Sequence, residues 1–385
     1  MSGIFNHLGL MRWPFTTVPD PQYSTFIADR TQLQTDISAL LTSLSRRDVS
    51  SIHLFWAWFG AGKTHTLYYL ANRAAQITEQ PLSNALYTVY TEFPKSARGF
   101  VDLYRSFAAG LDMDMLIDAY LEVRTCPHSD RFQRELMLSS PDLFNALQVL
   151  AMGEQQDQIT ALRWLRGEAL PVAQLRTIGI SQKIITAENS VRTLTTLVNM
   201  FGDAARAQGR PGSLILWMLD EFQRITRTGT RVLDEINTGL HSTFNACPNG
   251  LSLFLSFSGK PQRNLPAWFS RELRDRIGRT RVMILPPMLL NEALTFVRDV
   301  LAQFRPSGFS HPSPYFPFSE DACKAIIEEV DKQSEIKPRA IMQAFSAVLE
   351  EADPKMEAKE FDIISPEFAK RALAERIVFE EGEED

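Results

Sequence analysis

Cysteine is scarce in this 385-residue chain: Cys126, Cys247 and Cys323 stand far apart, with no paired spacing. That excludes a disulfide framework and a cysteine-built zinc site. Cys126 and His128 could offer a metal two ligands, but no second pair follows them. Long apolar runs are missing too, none approaching the ~18 residues of a membrane span. The opening M-S-G-I-F-N-H-L-G-L has no basic region followed by an apolar core and a cleavage site, so no secretory signal is expected and the chain reads as cytoplasmic. An excess of positive charge is likewise absent. The net charge is −6, so the protein as a whole is not a basic nucleic-acid binder.

What is present is an ordinary globular composition, 44% apolar and 22% charged, long enough for two domains with a well-buried core. Two local charge clusters stand out against it. Residues 270–281 carry five arginines against two acids, and residues 224–231 carry three arginines and no acid. The last six residues, E-E-G-E-E-D, form an acidic tail expected to be solvated.

Residues 56–66, W-A-W-F-G-A-G-K-T-H-T, are the most informative stretch. An apolar run (Ile52, Leu54, Phe55, Trp56) precedes Gly62-Lys63-Thr64, and a helical pattern (Leu67, Leu70, Ala71, Ala74) follows. This is the strand–loop–helix setting of a nucleotide phosphate loop. Small residues let backbone N–H groups close on phosphate oxygens, and the helix directs its positive dipole end at the same anions. The candidate nucleotide contacts are Ala57, Phe59, Gly60, Ala61, Gly62, Lys63, Thr64 and His65. Lys63 is expected at the β- and γ-phosphates, and the Thr64 hydroxyl on Mg²⁺. The usual glycine five residues before the Gly-Lys pair is here Ala57, and Gly60 is expected to supply the backbone freedom.

Strands are expected at 51–57, 84–90, 213–222, 251–257 and 281–285. The run S-L-I-L-W-M-L-D-E-F suits a central parallel strand covered on both faces. An amphipathic helix begins near Ala28, Asp29 and Arg30, after 25 residues read as an extended segment laid over a surface. Helical patterns dominate from Ser96 to about Gly209. After Pro286-Pro287 helices are expected at 289–304, 319–333, 338–352 and 365–378, with Ser319 and Ser365 as N-caps and Pro338 and Pro366 in first turns. The fold class is therefore α/β, a sheet domain followed by a small all-helical one.

Asp220 and Glu221 close the third strand, at the carboxyl edge where open α/β sheets bind ligands. Asp220 can hold Mg²⁺, and Glu221 can orient and polarise an attacking water. Together these residues resemble the AAA+ ATPase superfamily. A-W-F-G-A-G-K-T resembles its Walker A motif and L-I-L-W-M-L-D-E its Walker B motif. The finer likeness is to the origin-recognition and signal-transducing branches, and the segment R-W-L-R-G-E-A-L-P-V-A-Q-L-R-T-I-G-I is similar to one in ATP-binding proteins of the BREX phage-exclusion type.

The resemblance implies a P-loop NTPase (AAA+) fold: a three-layer α/β/α parallel sheet over residues 1–286, with a helical insertion at about 105–190. A helical lid at 287–379 and the tail at 380–385 complete it. It implies ATP and Mg²⁺ as cofactors and a sensor 1 residue at Ser258, with Ser256 the other candidate. Arg274 or Arg276, with Arg271 behind them, stands where the arginine finger would enter a neighbouring subunit. Arg339 in E-I-K-P-R-A-I-M falls at sensor 2, and Ile27 to Arg30 lie where the adenine-contacting segment is found. The implied function is an oligomeric, DNA-associated ATPase of replication, transposition or anti-phage defence. The alternative is a nucleotide-gated signalling protein that controls assembly with a protein effector and turns over slowly; a kinase fits less well because of the Asp-Glu pair and Arg339.

Overall fold

Every residue from Ser51 to Ala57 is buried, so this segment needs cover on both faces. In the computed structural model of the protein it is β1 (Ser51–Ala57), one strand of a five-stranded parallel sheet with β2 (Ala85–Glu92), β3 (Ser213–Asp220), β4 (Leu251–Ser258) and β5 (Val282–Ile284). The order is β2-β3-β4-β1-β5. The structure describes residues 5–21, 24–28, 30–78, 83–127, 129–262, 265–278 and 280–376; Asp29, His128 and the acidic tail lie outside them.

The contacts divide the chain into two compact units: residues 37–57 with 70–284, and residues 1–36 with 58–69 and 285–385. α1 (Thr31–Arg46) precedes β1 and α2 (Lys63–Thr78) follows it.

In the sheet unit, strand alternation sorts the buried side chains. Ile52, Leu54, Trp56, Ile215, Trp217, Leu219, Leu253 and Leu255 join one large core. The opposite parity holds Ser51, His53, Phe254 and Ser256. His53 is a core histidine: its ring stacks on Phe254 at 4.8 Å, and Ser51 Oγ lies 2.9 Å from Nε2. Burial and the nearby Arg281 push its pKa down to about 3, so it stays neutral.

Between β2 and β3 lie α3 (Phe100–Gly110), α4 (Met113–Thr125), α5 (Ser129–Ser139), α6 (Pro141–Met152), α7 (Gln155–Leu165), α8 (Val172–Thr177) and α9 (Ala187–Ala207). α3 packs on β2 and α9 on β3, whereas the intervening helices pack mainly on α9 and on one another. Asp142 at the start of α6 pins the returning chain by accepting from the N–H groups of Ser181 (2.8 Å) and Gln182 (2.9 Å). α10 (Thr230–Ala246) and α11 (Arg271–Ile277) complete this unit.

In the helical unit, α12 (Leu290–Gln303), α13 (Glu320–Gln333), α14 (Pro338–Glu357) and α15 (Pro366–Arg376) share a second core. Ser319 and Ser365 cap as expected, accepting from Ala322 N and Phe368 N. The opening segment is more than a surface cover. Leu8, Leu10 and Phe15 enter this core, while His7 meets Asp353 at 2.6 Å and Trp13 donates to Ser346. Among the described residues no helix is long and apolar enough to cross a membrane.

Several boundaries differ from the sequence reading, α1 beginning at Thr31 and β4 running to Ser258 among them, and three of the differences have a clear local cause. β3 stops at Asp220 because Glu221 turns into the left-handed region, φ 57°. β2 continues to Glu92 because Glu92 still pairs in register with Asp220. α14 continues through Pro354 to Glu357; one N–H is lost, but Ala352 and Met356 are buried in the core on either side.

Candidate functional site

β1 ends at Ala57 and α2 begins at Lys63, leaving residues 58–62 as the loop. Ala57 is an extended strand residue whose carbonyl accepts from Gly259 N at 3.0 Å. Positive φ is not needed there, which is why alanine replaces the usual glycine without strain. The turning falls instead to Gly60 (φ 76°) and Gly62 (φ 90°). Ala61 N donates to Trp58 O at 3.3 Å, closing the loop on itself.

Lys63 is buried, with Nζ donating to Trp58 O at 3.0 Å and lying 5.8 Å from the centre of the Phe59 ring. Phe59 itself is exposed, and Thr64 is half-buried one residue into α2. His65 is turned elsewhere: Nε2 donates to Phe26 O at 2.8 Å, and Nδ1 lies 3.2 Å from Ser24 Oγ. Its burial lowers its pKa, so the ring is a neutral anchor for the 24–28 segment. In that segment Ile27 and Ala28 are buried, and Arg30 donates to Pro286 O at 3.3 Å.

The first turn of α14 meets the loop. Arg339 N donates to Gly60 O at 3.2 Å, and Lys337 Nζ lies 5.3 Å over the Trp58 ring. Arg339 and the phosphate loop, far apart in sequence, are thus brought together, with the Arg339 side chain exposed. A Cβ on Gly60 would stand 3.1 Å from Arg339 Cβ. Gly60→Val therefore combines left-handed strain with a clash. It is expected to cost about 1–2 kcal/mol, read as a lower urea midpoint.

In the sheet unit, Ala57, Asp220 and Ser258 end three strands at one carboxyl edge. Asp220 is 2% exposed, and both carboxylate oxygens are held. Oδ1 accepts from Glu221 N at 2.8 Å and Oδ2 from Tyr90 OH at 3.1 Å. Glu221 is half-buried. Its Oε2 accepts from Gln223 Nε2 at 2.8 Å and lies 3.5 Å from Arg224 Nη2. Arg224 also donates to Glu92 and to Phe93 O, each at 2.9 Å.

Leu219 pairs with Leu255, so Ser256 stands beside Asp220. Ser256 Oγ is buried with no hydrogen-bond partner among the described residues, whereas Ser258 pairs in register with Ala57. The two arginine candidates also differ. Arg276 packs over Phe244 at 5.9 Å and donates to Asn245, while Arg274 is exposed and its side chain makes no hydrogen bond or ion pair with the described residues. Arg271 is exposed, 4.0 Å from Asp275.

Comparison with solved structures returns similar folds at low identity. The Aeropyrum pernix ORC1 protein in complex with DNA is 13% identical, with 94% of this chain and 69% of that one covered at a TM-score of 0.47. Drosophila ORC bound to DNA is 11% identical, covering 94% and 63% at 0.47. Domain III of the Thermotoga maritima replication initiation protein DnaA is 14% identical, covering 93% and 97% at 0.43. No family model matches the chain, and no curated protein matches it in sequence.

Four residues of the acid cluster escaped the sequence reading: Tyr90, Glu92, Gln223 and Arg224. Gln223 and Arg224 follow Glu221 in a short 3-10 turn, Phe222–Arg227, of which the expected strand took in only Phe222. Tyr90 and Glu92 come from β2, 130 residues away, and only the pairing of β2 with β3 brings them near. No one-dimensional pattern announces that pairing.

Proposed function

We propose that this chain is an AAA+-type ATPase that binds ATP with Mg²⁺, hydrolyses it, and works as a homo-oligomer on duplex DNA. The observation that carries this reading is the loop between β1 and α2. Two glycines in the left-handed region turn its backbone just before a helix N-terminus, with Lys63 folded back onto Trp58 O. That is a cradle built for phosphate oxygens.

In this reading residues 57–64 hold the triphosphate, with Lys63 on its β- and γ-oxygens. Thr64 and Asp220 are the residues that fit Mg²⁺, an oxygen-seeking cation that neutralises charge on the phosphates. Asp220 suits the task because its carboxylate is already fixed by Glu221 N and Tyr90 OH. Glu221 accepts a proton from water as its oxygen attacks the γ-phosphorus. The bond to the bridging oxygen breaks, and ADP and phosphate leave. Arg339 serves as sensor 2, and Ser258, with Ser256 beside Asp220, supplies the polar group of sensor 1. Arg274 is favoured over Arg276 as the finger offered to a neighbour, because it is exposed and its side chain makes no hydrogen bond or ion pair among the described residues. Residues 287–379 act as the lid.

The exposed Arg227, Arg231, Arg271 and Arg274 support DNA as the partner despite the net negative charge. The test is ATP turnover against protein concentration, with and without duplex DNA. The expected result is turnover that rises with concentration and is stimulated by DNA in a salt-sensitive way. Nucleotide-dependent oligomers without DNA stimulation would favour an effector-controlling switch instead. Absence of nucleotide binding would refute the whole reading.

A further inference from the structure

We propose that Gln223 is a positioning residue that aims the Glu221 carboxylate and ties it to the end of β4. This rests on the ATPase reading above. The inference starts from where β3 stops. β3 and β4 pair up to Leu219 and Leu255, but β4 runs on to Ser258. Gly259 N turns toward β1, donating to Ala57 O at 3.0 Å. Ser258 N, one residue earlier, therefore turns to the other side, where β3 has already ended. A buried N–H there needs a partner.

Gln223 Oε1 fills that place, accepting from Ser258 N at 3.0 Å. The same amide spends its donor on Glu221 Oε2 at 2.8 Å. One side chain thus uses its acceptor on the strand end carrying Ser258 and its donor on the acid assigned to water. The amide's orientation is set by this pairing, since only its oxygen can accept from an N–H and only its nitrogen can donate to a carboxylate.

Glu221 needs such a hold. Its backbone is left-handed (φ 57°), a conformation non-glycine residues seldom adopt. Arg224 is the other group in reach, but at 3.5 Å, and its Nη1 is committed to Glu92 and Phe93 O. Partly exposed ion pairs hold their partners only weakly. The short amide bond is the firmer constraint on where the carboxylate points.

Gln223→Glu separates the two halves of the role. The replacement is isosteric and keeps an acceptor for Ser258 N, but it removes the donor to Glu221 and sets a like charge beside it. Gln223→Ala removes both. Nucleotide titration, kcat and KM are measured for wild type and both variants. The expected result is a fall in kcat of about 10- to 100-fold in each, with nucleotide Kd within about threefold of wild type. Wild-type turnover retained by Gln223→Glu would overturn the proposal, since Gln223 would then serve only Ser258 N. A rise in KM at unchanged kcat would overturn it as well. If wild type itself neither binds nor hydrolyses ATP, the ATPase reading fails and this inference falls with it.

Discussion

Glu221→Gln is expected to leave ATP binding intact and to reduce turnover by about 10²- to 10⁴-fold, the usual worth of a positioned general base. The substitution keeps the shape of the side chain and an oxygen able to accept from Gln223 Nε2. It removes the ability to take a proton from water. Binding should survive because the groups assigned to the phosphates, Lys63 and the loop N–H groups, are untouched. The backbone also favours a clean result: the left-handed φ of residue 221 burdens glutamate and glutamine alike, so stability should change little. Steady-state phosphate release and a fluorescent-nucleotide titration on the same preparation check both halves. Unchanged turnover would remove Glu221 from the chemistry.

Lys63→Ala is expected to weaken ATP binding by about 100-fold or more, taking turnover with it. Lys63 is buried, and its ammonium already contacts a loop carbonyl and an aromatic face. Both of these groups are neutral. A triphosphate offers charged oxygens instead, and a hydrogen bond between charged groups is roughly twice as strong as a neutral one. Alanine loses that exchange and leaves Trp58 O to Ala61 N alone among these contacts. Titration calorimetry with ATP and Mg²⁺ is the direct measurement. Retained affinity would show that the loop is an ordinary turn, whatever its spelling.

The α/β class, the start and end of β1, the helical unit after Pro286-Pro287, and the caps at Ser319 and Ser365 were all legible in the chain, whereas α10 was not. Each is a local property. Burial on both faces shows as an unbroken apolar run, a helix start as a serine or proline before a periodic pattern, and a tight turn as small residues between the two. Even Ala57, the one irregular position in the loop, is explained locally, since it belongs to the strand and not to the turn.

The site's interior order was not legible, because it depends on groups that are distant along the chain or differ by a single backbone angle. Asp220 and Glu221 read as one acid pair at the end of an apolar run. The left-handed turn at Glu221 separates them, leaving Asp220 in the strand under Tyr90 and sending Glu221 to Gln223 and Arg224. The two serines of β4 look alike in sequence. Register sets Ser256 beside Asp220 and Ser258 beside Ala57. By itself, then, the sequence determined the fold class, the span of β1 and the place of the turn between β1 and α2, because periodicity and short motifs act over a few residues. Which side chains hold Asp220 and Glu221 was decided by strand pairing and one backbone turn, where long-range hydrogen bonds choose among partners that no local pattern ranks.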